Sequence, residues 1–279
     1  MESRPHPDFV GDKWWQDVDI ILDEAKKRNM KVWILDDAHF PTGMANGKAK
    51  DLPDNLKKWH LTCKVTDIYG SVKGRGLSVL GAPSLSFTAN APVETKEKLV
   101  AVIADRRESE DTADTIGDPI DLTEFARDGF LRYDFPDGYW RIFTLTQKLN
   151  ACTMNNDYIN MLLPESVKLL IDTVYEPHYA RYKQEFGKTI AGFFSDEPGF
   201  YNSAGNPFDF SLQIGSSHTM PLPWEPDFIE AFSKEVGYDV TTQLPYLWYP
   251  CDSASDTIRF AYMDFITKRY SAAFTPQNG

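Results

Sequence analysis

Cysteine is scarce in this sequence and scattered. The 279 residues hold three, Cys63, Cys152 and Cys251. No Cys-x-x-Cys and no zinc-finger spacing occurs, so neither a disulfide framework nor a structural zinc site is expected, and the three read as mostly buried free thiols. Positive charge is also in deficit: 29 Lys and Arg stand against 41 Asp and Glu, a formal net charge of −12. Such a surface repels a phosphate backbone, so nucleic acid is not expected as a partner. There is no Lys/Arg-rich block and no basic amphipathic helix. No stretch reaches the roughly 18 apolar residues of a membrane span, and nothing recurs at a solenoid period. The opening MESRPHPDFVGDKWW lacks an apolar signal region. That leaves the compartment open, since a chain cut from a longer precursor would lack its signal too.

What is present is core material and aromatic rings. Hydrophobic residues make up 42% and Phe, Trp and Tyr 14%. The first figure suffices for a real core in one large or two smaller domains. The second suits a sugar cleft, where rings serve as platforms for the apolar face of a pyranose, although ring packing in the core would use the same residues.

Residues 11–29 read as an amphipathic helix, with Trp14, Val18, Ile21, Leu22 and Ala25 at helical spacing, Asp12 as its N-cap and Asn29 as its stop. Val32, Trp33, Ile34 and Leu35 follow as a continuous apolar run, the pattern of a strand buried on both faces of a parallel sheet. A helix leading into a short buried strand is the α/β signature. DDAHFPTGMANG then breaks the pattern with Pro41, Gly43 and Gly47, at the strand end where α/β barrels carry their chemistry. Residues 60–150 are β-rich. Within them FLRYDF and YWRIFTLT, joined by Pro136-Asp137-Gly138, predict a hairpin. Helix signals resume at Pro164, with Gly187 as a stop and Pro177 inside the run as a kink or break. Thr189–Phe194 reads as a second buried strand, 200–223 as an extended loop, and about 225–236, 241–248 and 255–273 as helices.

Four constellations could carry chemistry. Ser195-Asp196-Glu197-Pro198 ends the second strand. Glycoside cleavage needs two carboxyl groups flanking the scissile bond, one of them protonated, and Asp196 and Glu197 are candidates; equally, they could begin a loop and face water. Asp36-Asp37-Ala38-His39 ends the first strand and reads either as sugar-hydroxyl or cation ligands or as loop capping. His39 could be functional or a packed loop residue. Asn155-Asn156-Asp157-Tyr158 could hold sugar hydroxyls through Asn156 and Asp157, or form an ordinary turn. Trp248-Tyr249 and Trp224 could stack on a sugar or pack inside.

Two blocks add a resemblance. WWQDVDIILDEAKKRNMKVWILDDAHFPTGMANG resembles the helix–strand–loop segment of the large bacterial α-L-rhamnosidases and their relatives (glycoside hydrolase family 106), with Asp37 where that family has Glu. YEPHYARYKQEFGKTIAGFFSDEPGFYN resembles their segment ending in F-F-T/S-D-E-P. The resemblance implies a (β/α)8 TIM-barrel-type catalytic domain of α/β class and Glu197 as the acid/base. It implies a second carboxylate from a later strand, Ca²⁺ in some relatives with no ligands assignable here, and a periplasmic or secreted setting.

The expected organisation is a first barrel part at 1–59, an inserted β-rich subdomain at 60–150, and the continuing barrel at 151–279. A full barrel takes about 250 residues before insertions, so a partial barrel from a longer polypeptide is expected, inactive alone if the second carboxylate lies elsewhere. The expected function is a glycoside hydrolase acting on plant or microbial polysaccharide or oligosaccharide, an α-L-rhamnosidase among the candidates. It would retain or invert according to the carboxyl separation. Two other readings stand beside it: a non-catalytic carbohydrate-binding degenerate barrel, and a metal-dependent hydrolase using Asp36, Asp37 and His39.

Overall fold

The first helix, α1 (Asp12–Lys27), begins beside Gly11. Its N-cap is Gly11 and not Asp12, which lies inside it, and the Asp8 carboxylate from outside the helix accepts the Lys13 N–H at 2.8 Å. Gly11 passes so close that a Cβ there would stand 2.2 Å from the Asp8 carboxylate. Asn29, at φ 54°, ends the helix in the left-handed region.

The computed structural model describes residues 6–80, 96–112, 114–149, 151–152, 155–202, 214–215 and 218–278. In chain order after α1 come β1 (Val32–Leu35), β2 (Trp59–Tyr69), β3 (Gly76–Ser78), β4 (Glu97–Arg107), β5 (Ile120–Asp121), β6 (Ala126–Arg127), β7 (Phe130–Arg132) and β8 (Tyr139–Leu149). Then follow α2 (Pro164–Leu170), a π-turn (Ile171–Tyr175), α3 (Glu176–Tyr182), β9 (Ile190–Phe194), β10 (Leu222–Trp224), α4 (Phe228–Val236), a 3-10 segment (Thr241–Leu247) and α5 (Asp252–Asn278). No helix among the described residues is long and apolar enough to cross a membrane. The predicted loop at 200–223 lies largely outside the described residues.

The chain divides into two compact units, one of residues 1–58, 157–200 and 269–279, the other of 59–156 and 201–268. In the first, β1 and β9 run parallel, with Leu35 opposite Phe194. Their inner face packs on the helices through Val18, Leu22, Ile34, Tyr182 and Ile190. Their other face leaves Trp33 62% and Phe194 54% exposed, so this sheet is covered on one side and not on both. Pro177 does not break its helix. The chain widens into the π-turn just before it, a register change that suits a residue unable to donate the usual backbone bond.

The second unit is antiparallel. Its larger sheet has the order β10-β2-β8-β4-β5 and its smaller one β3-β7-β6. β2 and β8 pair over their full length, from Trp59 opposite Leu149 to Tyr69 opposite Tyr139. The predicted hairpin across Pro136-Asp137-Gly138 does not form. Both edges of β8 are taken by β2 and β4, while β7 joins β3 and β6, so the turn passes the chain between two sheets. Val79, Val102, Ala104, Leu131, Phe135, Trp140 and Ile142 form a buried core that draws on both sheets.

The expected (β/α)8 barrel is therefore corrected. Among the described residues β1 and β9 make the one parallel strand pair, every other pairing between strands is antiparallel, and the sheets are open. Closure into such a barrel needs eight parallel strands tilted around an axis. The two apolar runs that suggested them form a two-stranded sheet instead. Antiparallel sheets with flanking helices describe this chain, and the α/β barrel class does not.

Candidate active site

The first unit brings two acidic segments together that lie about 160 positions apart in the sequence. Both leave the C-terminal ends of the parallel pair, and the Asp36 N–H donates to the Phe194 carbonyl at 3.1 Å, extending the pairing by one residue. Beyond that point Thr42 joins the loops. Its N–H donates to the Asp196 carbonyl at 3.0 Å, and its hydroxyl oxygen accepts the Asp196 N–H at 2.8 Å. The Tyr158 hydroxyl donates to the Thr42 carbonyl and accepts the Gly199 N–H at 3.3 Å. The segment between Asp36 and Gly43 and the segment between Phe194 and Gly199 are thereby sewn to each other.

The two neighbouring aspartates have different tasks. Asp37 is 1% exposed. Its Oδ1 accepts the N–H groups of Ala38 at 2.8 Å and Asn46 at 2.7 Å, and its Oδ2 those of Gly43 at 3.0 Å and Ala45 at 2.8 Å. Four amides fill the acceptor sites of one carboxylate, so Asp37 organises its own loop. Asp36 is fully buried and faces the other way. It accepts the Thr42 hydroxyl, the Tyr175 hydroxyl at 2.6 Å and the Ser195 hydroxyl. Burial pushes its carboxyl above the ordinary carboxylate range and the Asp37 charge adds to the rise, while its three hydroxyl donors oppose it. Burial and the Asp36 carboxylate push the Tyr175 phenol up. Tyr175 reaches Asp36 from the end of the π-turn.

Other residues singled out by sequence are placed as follows. Glu197 is exposed at φ 43°, a left-handed conformation unusual for a residue with a side chain. Asp196 is half-buried, Ser195 exposed. His39 is exposed, with Nδ1 2.9 Å from the Phe40 carbonyl. Asp157 is exposed. Asn156 belongs to the second unit and is half-buried there. Trp248, also in that unit, is 1% exposed and its indole N–H donates to the Met220 carbonyl at 2.7 Å, so its faces are spent on packing. Sequence reasoning missed Thr42 and Tyr175, and gave Tyr158 no role of its own within the constellation that contains it. A threonine after Pro and an apolar-face tyrosine carry no signal of their role; only the pairing of β1 with β9 reveals it.

Metal ligation does not suit the Asp36, Asp37 and His39 set. A cation would have to displace seven hydroxyl and amide donors from the two carboxylates. Among the described residues no group of three or more His, Cys, Asp or Glu gathers as ligands.

No established family and no curated protein matches the chain. A solved structure shares its fold. That structure is a rhamnosidase from Novosphingobium sp. PP1Y, similar over 96% of this chain with a TM-score of 0.58 at 13% sequence identity. The chain spans 39% of that protein's length. The relationship is a distant one, of fold, to part of a glycosidase.

Proposed function

We propose that this chain carries the acid/base carboxylates of a glycoside hydrolase acting on an oligosaccharide or polysaccharide, an α-L-rhamnoside among its candidate substrates. The observation that supports this most directly is the convergence of both acidic segments at one end of the parallel pair, on a fold shared with part of a rhamnosidase. Active sites of sheets with parallel strands gather at that end. Asp36 and Asp37 are buried and occupied, so the carboxylates offered to a substrate are Glu197 and its neighbour Asp196. Glu197 is assigned the proton transfer to the glycosidic oxygen. Its left-handed backbone supports this, because strained conformations persist where the surrounding structure enforces them and cluster at functional sites. The exposed Phe194 and Phe40 rings offer apolar faces for a pyranose.

The test is hydrolysis of a panel of aryl glycosides, rhamnosides included, by the natural full-length protein and its Glu197→Gln and Asp196→Asn variants. Loss of an acid/base group lowers turnover by roughly 10²–10⁴-fold, and Glu197→Gln is expected to do so on whichever glycoside is cleaved. Sugar binding without turnover in every form would replace this reading with that of a binding module.

A further inference from the structure

The second unit carries an open surface pocket lined mostly by exposed residues, two of them arginines. It has a volume of about 530 Å³ and is bounded by Arg75, Arg132, Phe125, Tyr133 and the Gly74–Gly76 backbone, within the 300–1,000 Å³ range typical of small-ligand sites. On a chain of net charge −12, a pocket lined by two arginines and one acid carries a net positive charge. The space has a structural origin. Gly76 pairs directly with Arg132 across the β3–β7 ladder, and a Cβ at Gly76 would stand 3.7 Å from the Phe130 side chain, so the glycine leaves room beside that ring. Arg132 rests over the Phe130 ring at 5.7 Å and gives one N–H to the Arg127 carbonyl at 3.4 Å. A guanidinium has five N–H donors, so most of them remain for a ligand. The lone acid in the lining, Asp134, has one oxygen engaged by the Gly74 N–H at 2.9 Å, which fixes the turn. Phe125 and Tyr133 stand edge to face at 5.3 Å, with Phe125 40% exposed.

We propose that this cavity is a binding site for an anionic pyranose, a sugar ring bearing a carboxylate or a sulfate. The arginines supply the planar, paired N–H donors that match such oxyanions. The Phe125 and Tyr133 rings supply an apolar, electron-rich surface for the C–H face of the sugar. The second Asp134 oxygen accepts a ring hydroxyl. A bare inorganic anion uses only the first of these three features, and a neutral sugar only the other two. The site is a binding site only, and it stands independently of the hydrolase reading.

Calorimetric titration of the intact chain tests it with four probes: tri-galacturonate, its methyl ester, a galactose-6-sulfate disaccharide and inorganic phosphate. Tri-galacturonate or the sulfated sugar is expected to bind, and the tighter of the two names the anionic group. The methyl ester should bind at least about tenfold more weakly than the free acid, since a charge-assisted pair is lost. Arg75→Ala and Arg132→Ala should each weaken the anionic sugar by about tenfold. Both residues are exposed, and an unchanged melting curve establishes that the variants fold. Phe125→Ala should weaken the sugar while leaving phosphate unaffected. Glu197→Gln should leave binding as it is, which separates this proposal from the catalytic one. No binding of either anionic sugar at millimolar concentration, wild-type affinity in both arginine variants, or phosphate competing as well as the sugar would each overturn it.

Discussion

Replacing Asp37 by alanine removes the acceptor of four backbone N–H groups at 2.7–3.0 Å. The bonds to Gly43 and Ala45 are buried, and those to Ala38 and Asn46 are part-buried. A buried donor left without a partner costs about 1–3 kcal/mol. The two part-buried amides regain some of their loss from water. Ala45 and Asn46 are held at φ 51° and 52°, left-handed conformations that these bonds maintain and that relax without them. The expected destabilisation of the first unit is about 3–5 kcal/mol, a large share of the 5–15 kcal/mol typical of a domain. Asp37→Asn should do little better. An amide keeps one acceptor oxygen but points its NH₂ group at two N–H donors. Hydrogen exchange of the Gly43, Ala45 and Asn46 amides reads the loop directly, and urea unfolding reads the unit. If exchange at these amides is unchanged and stability falls by less than about 1 kcal/mol, Asp37 does not hold the loop and the division of labour between the two aspartates is wrong.

Gly43→Ala should be severe as well, because the new Cβ would lie 2.2–2.5 Å from the Tyr158 ring on a backbone at φ 133°. An overpacked buried contact on strained backbone should cost about 3 kcal/mol or more, and a wild-type urea midpoint would refute the packing described. A pH effect follows from His178, which is fully buried. Its Nδ1–H donates to the Val174 carbonyl at 2.6 Å and its Nε2 accepts the Trp14 indole N–H at 2.8 Å. Burial lowers its pKa below 6.5, so the folded state favours the neutral ring more than the unfolded state does. Above pH 6.5 both states are neutral and the contribution is complete; it is lost as pH falls from there through the depressed folded value. Between pH 6.5 and 5.5 the first unit should therefore lose stability, and His178→Phe should flatten that slope. An equal slope in both proteins would refute the assignment.

The strands that position the site were legible because their sequence pattern is local. Val32–Leu35 is a bare apolar run between a helix stop and an acidic loop, and the structure places β1 on those residues. That both acidic segments follow strands could be read in the same way. How many strands a sheet holds is not local, and here the barrel expectation failed. An apolar run on a two-stranded sheet with one covered face looks the same as a run inside a wide parallel sheet, and Trp33, 62% exposed, shows the difference only in three dimensions. The hairpin failed for a related reason. Turn chemistry at Pro136-Asp137-Gly138 fixes a change of direction, but the partner of β8 was decided by the long β2 and β4 strands. Asp36 and Asp37 were indistinguishable as letters. Successive residues of an extended chain point to opposite sides, so one met Tyr175 and Thr42 and the other met its own loop.

The arrangement of these two carboxylates bears on the catalytic proposal more than their number does. Burying two adjacent acids raises the energy of the folded state unless every lone pair is met. Here four amides meet one and three hydroxyls meet the other. An exposed loop needing only solubility would have kept neither buried. What the investment secures is fixed placement of the strand-end backbone, because Asp36 grips Thr42 and Thr42 grips both sides of the Asp196 peptide. The next residue is Glu197, held left-handed at φ 43°. On the proposed reading, its carboxyl must be held to within a fraction of an ångström of the position that puts it in hydrogen-bond reach of the glycosidic oxygen, and such precision comes from supporting residues that do not themselves react. On the proposed reading the buried aspartates are the frame of the site rather than its reagents, and the exposed Glu197 beyond them is the reagent that such a frame would serve.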